Sequence, residues 1–103
     1  MRMLMQVKIP NCKFNAAVKD GTISQKMQKI LEDIKPEASY FTEYDGQRGA
    51  IFIVNVDNPS KVPMLAEPWF IIFDAEVHFH IVMSPEELGK AGLDALGKKW
   101  LQA

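Results

Sequence analysis

Cysteine is almost absent from this chain: Cys12 stands alone among 103 residues. One thiol closes no intrachain disulfide and builds no thiolate metal cluster, which fits a reducing, cytoplasmic setting. No histidine lies near it in sequence to activate it as a nucleophile, so it reads as an ordinary residue. Charge of either sign is also scarce in excess. The formal net charge is -1, and Lys98-Lys99 is the only adjacent basic pair. Nothing here draws the chain to nucleic acid or to an anionic membrane surface. Long apolar runs are missing, so a membrane span is not expected. The opening MRMLMQVKIP begins like a secretion signal, but Gln6 and Lys8 break its apolar run and no small-residue cleavage site follows. It is expected to be a strand rather than a targeting segment. There is no glycine-rich phosphate loop, no nucleophile triad, no repeat and no linker. One domain spanning 1–103 is the consequence.

What is present is an ordinary globular balance, 48% hydrophobic and 24% charged, distributed with clear periods. Met3, Met5, Val7 and Ile9 alternate with Leu4, Gln6 and Lys8, the period of a half-buried strand. Asn11 is placed to cap a short helical turn that Asp20-Gly21 closes. Thr22-Ile23-Ser24-Gln25 has the form of a capping box, and Ile23, Met27, Ile30, Leu31 and Ile34 make a helical stripe ended by Lys35-Pro36. Residues 38–44 and 48–56 flank Asp45-Gly46, a strong hairpin signal. Asn58-Pro59 opens a further helix with Val62, Leu65, Ala66, Trp69, Phe70 and Phe73 on its buried side, which Pro68 should kink or split. The strand EVHFHIVM follows. Ser84-Pro85-Glu86-Glu87 then starts a last helix carrying Leu88, Ala91, Ala95, Leu96 and Trp100. Gly89, Gly92 and Gly97 weaken that helix, so it needs a surface to pack on.

The order β-α-β-β-α-β-α predicts an α+β fold: a ferredoxin-like βαββαβ sandwich plus a C-terminal helix, with four antiparallel strands in the order 4-1-3-2. Helices then cover one face of the sheet. Met3, Met5, Val7, Ile9, Val77, Phe79 and Ile81 belong to that face. A two-residue Asp45-Gly46 turn pairs Tyr44 with Gln47 and Tyr40 with Ile51, which leaves Tyr40, Ile51 and Ile53 on the open face. A three-residue turn would substitute Phe41 and Glu43. Leu4, Gln6, His78, His80 and Val82 share the open face. That mixture is too apolar for water and too polar for a core, and such a face usually meets a partner. Two copies meeting there make a two-fold homodimer enclosing a pocket suited to a small molecule.

Three stretches, YFTEYDGQRGAIFIV, LAEPWFIIFDAEVHFHIVM and SPEELGKAGLDALGKKW, give the chain a likeness to the dimeric α/β-barrel superfamily. More closely, it resembles a group of small uncharacterised bacterial proteins within it. With the first strand these stretches span nearly the whole chain. The superfamily includes muconolactone isomerases, cofactor-free quinone-forming monooxygenases, chlorite dismutases, haem-degrading enzymes, stress-responsive barrel proteins and amino-acid-sensing domains. No member's catalytic pattern matches residue by residue, so the resemblance implies a homodimer with an open-face pocket and no particular reaction.

The chemistry therefore rests on the histidines. His78 and His80 are two apart on a strand, so they point the same way about 7 Å apart at Cα. As metal ligands they lack a third partner of clear spacing, Glu76 and Glu43 being the nearest candidates. As acid–base groups they suit proton transfer, with Tyr40 orienting a carbonyl or phenol. As plain lining they would bond water or a second subunit. The leading expectation is a small-molecule-binding protein, possible isomerase or monooxygenase for an apolar or aromatic metabolite, needing no organic cofactor. His78, His80 and Tyr40 would be catalytic, and Leu4, Gln6, Ile51, Ile53, Trp69 and Val82 would hold the ligand. Trp69 enters because a helix broken at Pro68 would let it close one end of the pocket. The alternatives are a non-catalytic ligand-binding or interaction module, and a His-ligated metal enzyme. Glu43 and Arg48 are expected to form a cross-strand ion pair.

Overall fold

A computed structural model describes residues 1–102. The elements run β1 (Arg2–Ile9), α1 (Asn11–Asp20), α2 (Ile23–Ile34), β2 (Ala38–Tyr44), β3 (Gln47–Asn55), α3 (Lys61–Phe73), β4 (Glu76–Ile81), α4 (Pro85–Gly89) and α5 (Leu93–Leu101). The strands form one antiparallel sheet in the order β2-β3-β1-β4. This is the ferredoxin-like α+β arrangement the element order predicts.

Alternation decides which face of the sheet is buried. Met3, Met5, Val7 and Ile9 of β1 are buried, as are Ala50, Phe52 and Val54 of β3. They meet Ile30 and Ile34 of α2 and Leu65, Trp69 and Phe73 of α3 in one core. Trp69 is fully enclosed, with ring centroids 5.4 Å from Phe52 and 6.1 Å from Phe73. Phe73 in turn lies 5.3 Å from Phe14. Each such side chain stabilises the fold by about 1.5–3 kcal/mol through burial. The hairpin is the two-residue form: Asp45 and Gly46 have φ of 52° and 81°, the positive pair that a tight hairpin turn of this twist requires. Tyr44 therefore pairs with Gln47, Tyr40 with Ile51 and Ala38 with Ile53.

Helix ends depart from expectation in instructive ways. Thr22 makes no side-chain cap to α2. Instead the Asp20 carboxylate accepts from the Thr22 hydroxyl at 2.6 Å and from its backbone N–H at 2.9 Å. Those bonds hold the Asp20 carboxyl below the ordinary aspartate range. Asn11 is the first residue of a ten-residue helix, not its cap, and its Oδ1 accepts from Arg48 at 3.3 Å. Gly21 ends α1 in the left-handed region at φ 82°. Asn58 accepts from Ser60, so the turn leading into α3 ends two residues later than the Asn58-Pro59 signal implied.

Pro68 does not split α3, which is continuous from Lys61 to Phe73. The carbonyl that loses its partner belongs to Met64, four residues earlier, and Met64 is on the exposed side of the helix where water can serve it. Phe70 lies outside the core and is 40% exposed. Glu43 and Arg48 are register partners but do not pair. The Glu43 carboxylate accepts from the Gly46 N–H at 2.9 Å, and the Arg48 guanidinium sits 4.3 Å from the Phe14 ring centroid.

The last helix comes in two pieces, with Gly92 at φ 71° between them. Ser84 builds the expected capping box. Its hydroxyl accepts from the Glu87 N–H at 3.1 Å, and the Glu87 carboxylate accepts from the Ser84 N–H at 2.9 Å. These bonds hold the Glu87 carboxyl below the usual range. Every residue from Pro85 to Gln102 is exposed. The body and this arm together extend 63 × 28 × 20 Å with a radius of gyration of 17.9 Å, against about 13 Å for a compact chain of this length. Among the described residues no helix is long and apolar enough to cross a membrane.

Candidate functional site

The strand registers lay out the open face as rows. Ala38, Ile53, Leu4 and His80 form one row across β2, β3, β1 and β4. Tyr40, Ile51, Gln6 and His78 form the next. Thr42, Gly49, Lys8 and Glu76 form the third. Val82 follows β4, its N–H donating to the Arg2 carbonyl at 3.2 Å. Leu4, Ile51, Ile53 and Val82 are only half-buried, and both histidines are exposed.

This grid brings some expected residues together and separates others. His78, His80, Gln6 and Leu4 are neighbours on adjoining strands. Tyr40 shares a row with His78, yet three inter-strand steps, about 14 Å, lie between their backbones. One small molecule on a single chain therefore cannot take a proton from one and a hydrogen bond from the other. Trp69 is not on this face at all. It is buried among the helices on the opposite side of the sheet, because the unbroken α3 keeps it in the core. It has no place in the open-face site.

The two histidines differ in surroundings. His80 flanks the apolar row of Leu4 and Ile53. His78 borders a cavity of about 140 Å³ lined also by Gln6, Lys8, Tyr44, Asp45 and Glu76. Tyr44 is the residue that sequence reasoning missed. Its ring lies over Gly49, so close that a Cβ at that position would collide with it. Gly49, the third residue past the turn and diagonal to Tyr44, is the signal that was available: it leaves a gap on the open face that an aromatic neighbour can fill. The Tyr44 hydroxyl is buried and has no hydrogen-bond partner. Beside it Lys8 Nζ is 3.5 Å from an Asp45 carboxylate oxygen, a long and largely exposed pair.

The arrangement holds donors, acceptors and an imidazole around one small cavity, with an apolar row next to it. That combination can orient a ring on the apolar side and exchange a proton on the polar side. Among the described residues no group of three His, Cys, Asp or Glu side chains is close enough to hold a metal ion. Cys12 is exposed and is not among the residues lining this cavity. A larger cleft of about 630 Å³ lies against α1 and α2, lined by Phe14, Ile23, Met27 and Leu31, with Glu32 its one charged group. It offers no acid–base pair. No family model matches the chain, and no curated protein matches its sequence.

Proposed function

We propose that this chain acts as a homodimer through its open sheet face, in the manner of a dimeric α/β barrel, and binds an apolar or aromatic metabolite there. His78 or His80 serves as the base in an isomerisation, or in an oxidation with molecular oxygen as co-substrate, that needs no organic cofactor. The observation that carries this reading is the half-buried block of Leu4, Ile51 and Ile53, spread over two adjacent rows beside exposed histidines. Half-buried aliphatics in a contiguous block favour a partner or a ligand over water.

A two-fold axis running along the strands, between two facing sheets, sets β4 of one copy over β2 of the other. In that arrangement the hydrogen-bond donor opposite His78 and His80 is the partner subunit's Tyr40, which removes the 14 Å separation within one chain. The test is a substrate panel of enolisable ketones and hydroxylated aromatics, assayed across pH. Turnover lost in His78→Ala or in His80→Ala, with the dimer retained, excludes a role as simple binding module. Ligand binding without turnover, unchanged in the two variants, sinks the catalytic part and leaves the non-catalytic module.

A further inference from the structure

The arm formed by α4 and α5 is the second uncovered apolar surface of the molecule. On α5, Leu93, Leu96 and Trp100 fall on one side at helical spacing, with Gly97 beside them and Asp94 and Lys98 opposite. Trp100 is 64% exposed, and Leu93, Leu96 and Leu88 of α4 are exposed too. A helix of nine residues does not persist in water on its own strength. Its stripe requires a surface.

The body carries a surface of the right kind. Val77, Phe79 and Ile81 point to the helix side of the sheet, but β4 is an edge strand and helix cover thins along it: Val77 and Phe79 still pack against the core, whereas Ile81 lies outside it. Val77 and Phe79 are only partly covered, and Ile81, expected in the core, is 61% exposed. Phe70 borders the same gap. Pro68 and Ile72 of α3 line a cleft with Lys29 and Ile30 of α2, which turns Phe70 to the opposite flank of α3, toward β4.

The root of the arm directs it away from its own gap. Val82 is still bonded to Arg2, Ser84 and Glu87 are locked in their capping box, and Arg2 reaches Glu37 at 3.0 Å and Glu87 at 3.9 Å. From that root the arm runs outward: the molecule is 63 Å long, and no residue from Pro85 to Gln102 is buried. Interface area points the same way. Four strands of six to nine residues project about 500 Å², whereas a standard dimer buries about 800 Å² per partner. The arm supplies the shortfall, Trp100 alone burying about 150–250 Å².

We infer that the arm docks in trans: Leu93, Leu96 and Trp100 of one copy cover Phe70, Phe79 and Ile81 of a second, reciprocally about a two-fold axis. This rests on the homodimer of the preceding reading, with the arm adding to its open-face contact, and the experiment separates the two. In a Cys12→Ser background, a chain carrying Trp100→Cys is mixed with one carrying Ile81→Cys and mildly oxidised. A disulfide-linked heterodimer is expected. The double variant in one chain should likewise give linked dimers, and a monomer with an internal disulfide overturns exchange in favour of docking in cis. Absence of any link, with iodide still quenching Trp100 in the unmodified dimer, overturns docking altogether. Leu96→Asp should weaken the dimer at least about tenfold. If Ile51→Asp leaves the cross-link intact, the arm stands and the open-face contact falls.

Discussion

Gly49→Ala tests the wall of the candidate pocket directly. The new methyl would meet Cδ2 and Cε2 of Tyr44 far inside contact distance and Cγ2 of Thr42 at 3.3 Å. Gly49 does not occupy a left-handed conformation, so no backbone strain enters. Overpacking of this kind costs about 1–3 kcal/mol, while the reduced freedom of the unfolded chain returns about 0.4–1 kcal/mol. A net loss of about 1–2 kcal/mol follows, or about 4–16 °C in Tm for a domain of this size. The sign should reverse once the ring is gone: in a Tyr44→Ala background, Gly49→Ala should stabilise by about 0.4–1 kcal/mol. Urea melts of the four proteins in this double-mutant cycle give the coupling energy. Additive effects, or a gain in stability in the parent chain, would refute the placement of Tyr44 over Gly49 and with it the shape of the cavity beside His78.

Other consequences can be checked in the same protein. Trp69→Ala should cost about 3–5 kcal/mol because the indole is fully enclosed. Trp100→Ala should move the stability of the separated subunit by no more than about 0.5 kcal/mol, and equilibrium unfolding at high dilution compares the two. Tyr44→Phe should raise stability by about 1 kcal/mol, since it deletes a buried hydroxyl with no partner; a lower Tm would mean that the hydroxyl is bonded. Asp20 and Glu87 have carboxyls held below their ordinary values by bonds from Thr22 and Ser84. Their stabilising effect is present above the unfolded carboxylate range and is lost as pH falls through the folded values. Amide exchange at the starts of α2 and α4 should therefore be slow at pH 5 and speed up below about pH 4 relative to the intrinsic rate. Exchange that tracks the intrinsic rate throughout would rule out those caps.

The fold was legible because most of its determinants are local or periodic. Alternation along β1 and β3, the Asp45-Gly46 turn and the α2 stripe together specify strand order, register and the buried face. What was not legible depends on where a group ends up in space. Pro68 breaks a helix only where the freed carbonyl has no alternative partner, and Met64 lies on the wet side. Ile81 alternates correctly for the core but ends an edge strand, beyond Val77 and Phe79, where helix cover has given out. Glu43 and Arg48 face each other in register, yet each finds a nearer partner in Gly46 and in Phe14 with Asn11. At the site, His78, His80, Gln6, Leu4, Ile51, Ile53 and Val82 were placed on their shared face by period alone. The span between Tyr40 and His78 required the strand order to be laid out in distance. Tyr44 escaped notice because its position depends on a glycine across the strand.

Native mass spectrometry of the parent chain beside Ile51→Asp probes the proposed dimer and its ligand site at once, because one spectrum reports assembly and bound mass together. The parent chain should be a dimer that retains a small apolar or aromatic compound when one is supplied, and Ile51→Asp should weaken the dimer and abolish retention. A parent chain that is a bare monomer at micromolar concentration, or an Ile51→Asp dimer that holds the compound as well as the parent does, would contradict a ligand site enclosed by two open faces.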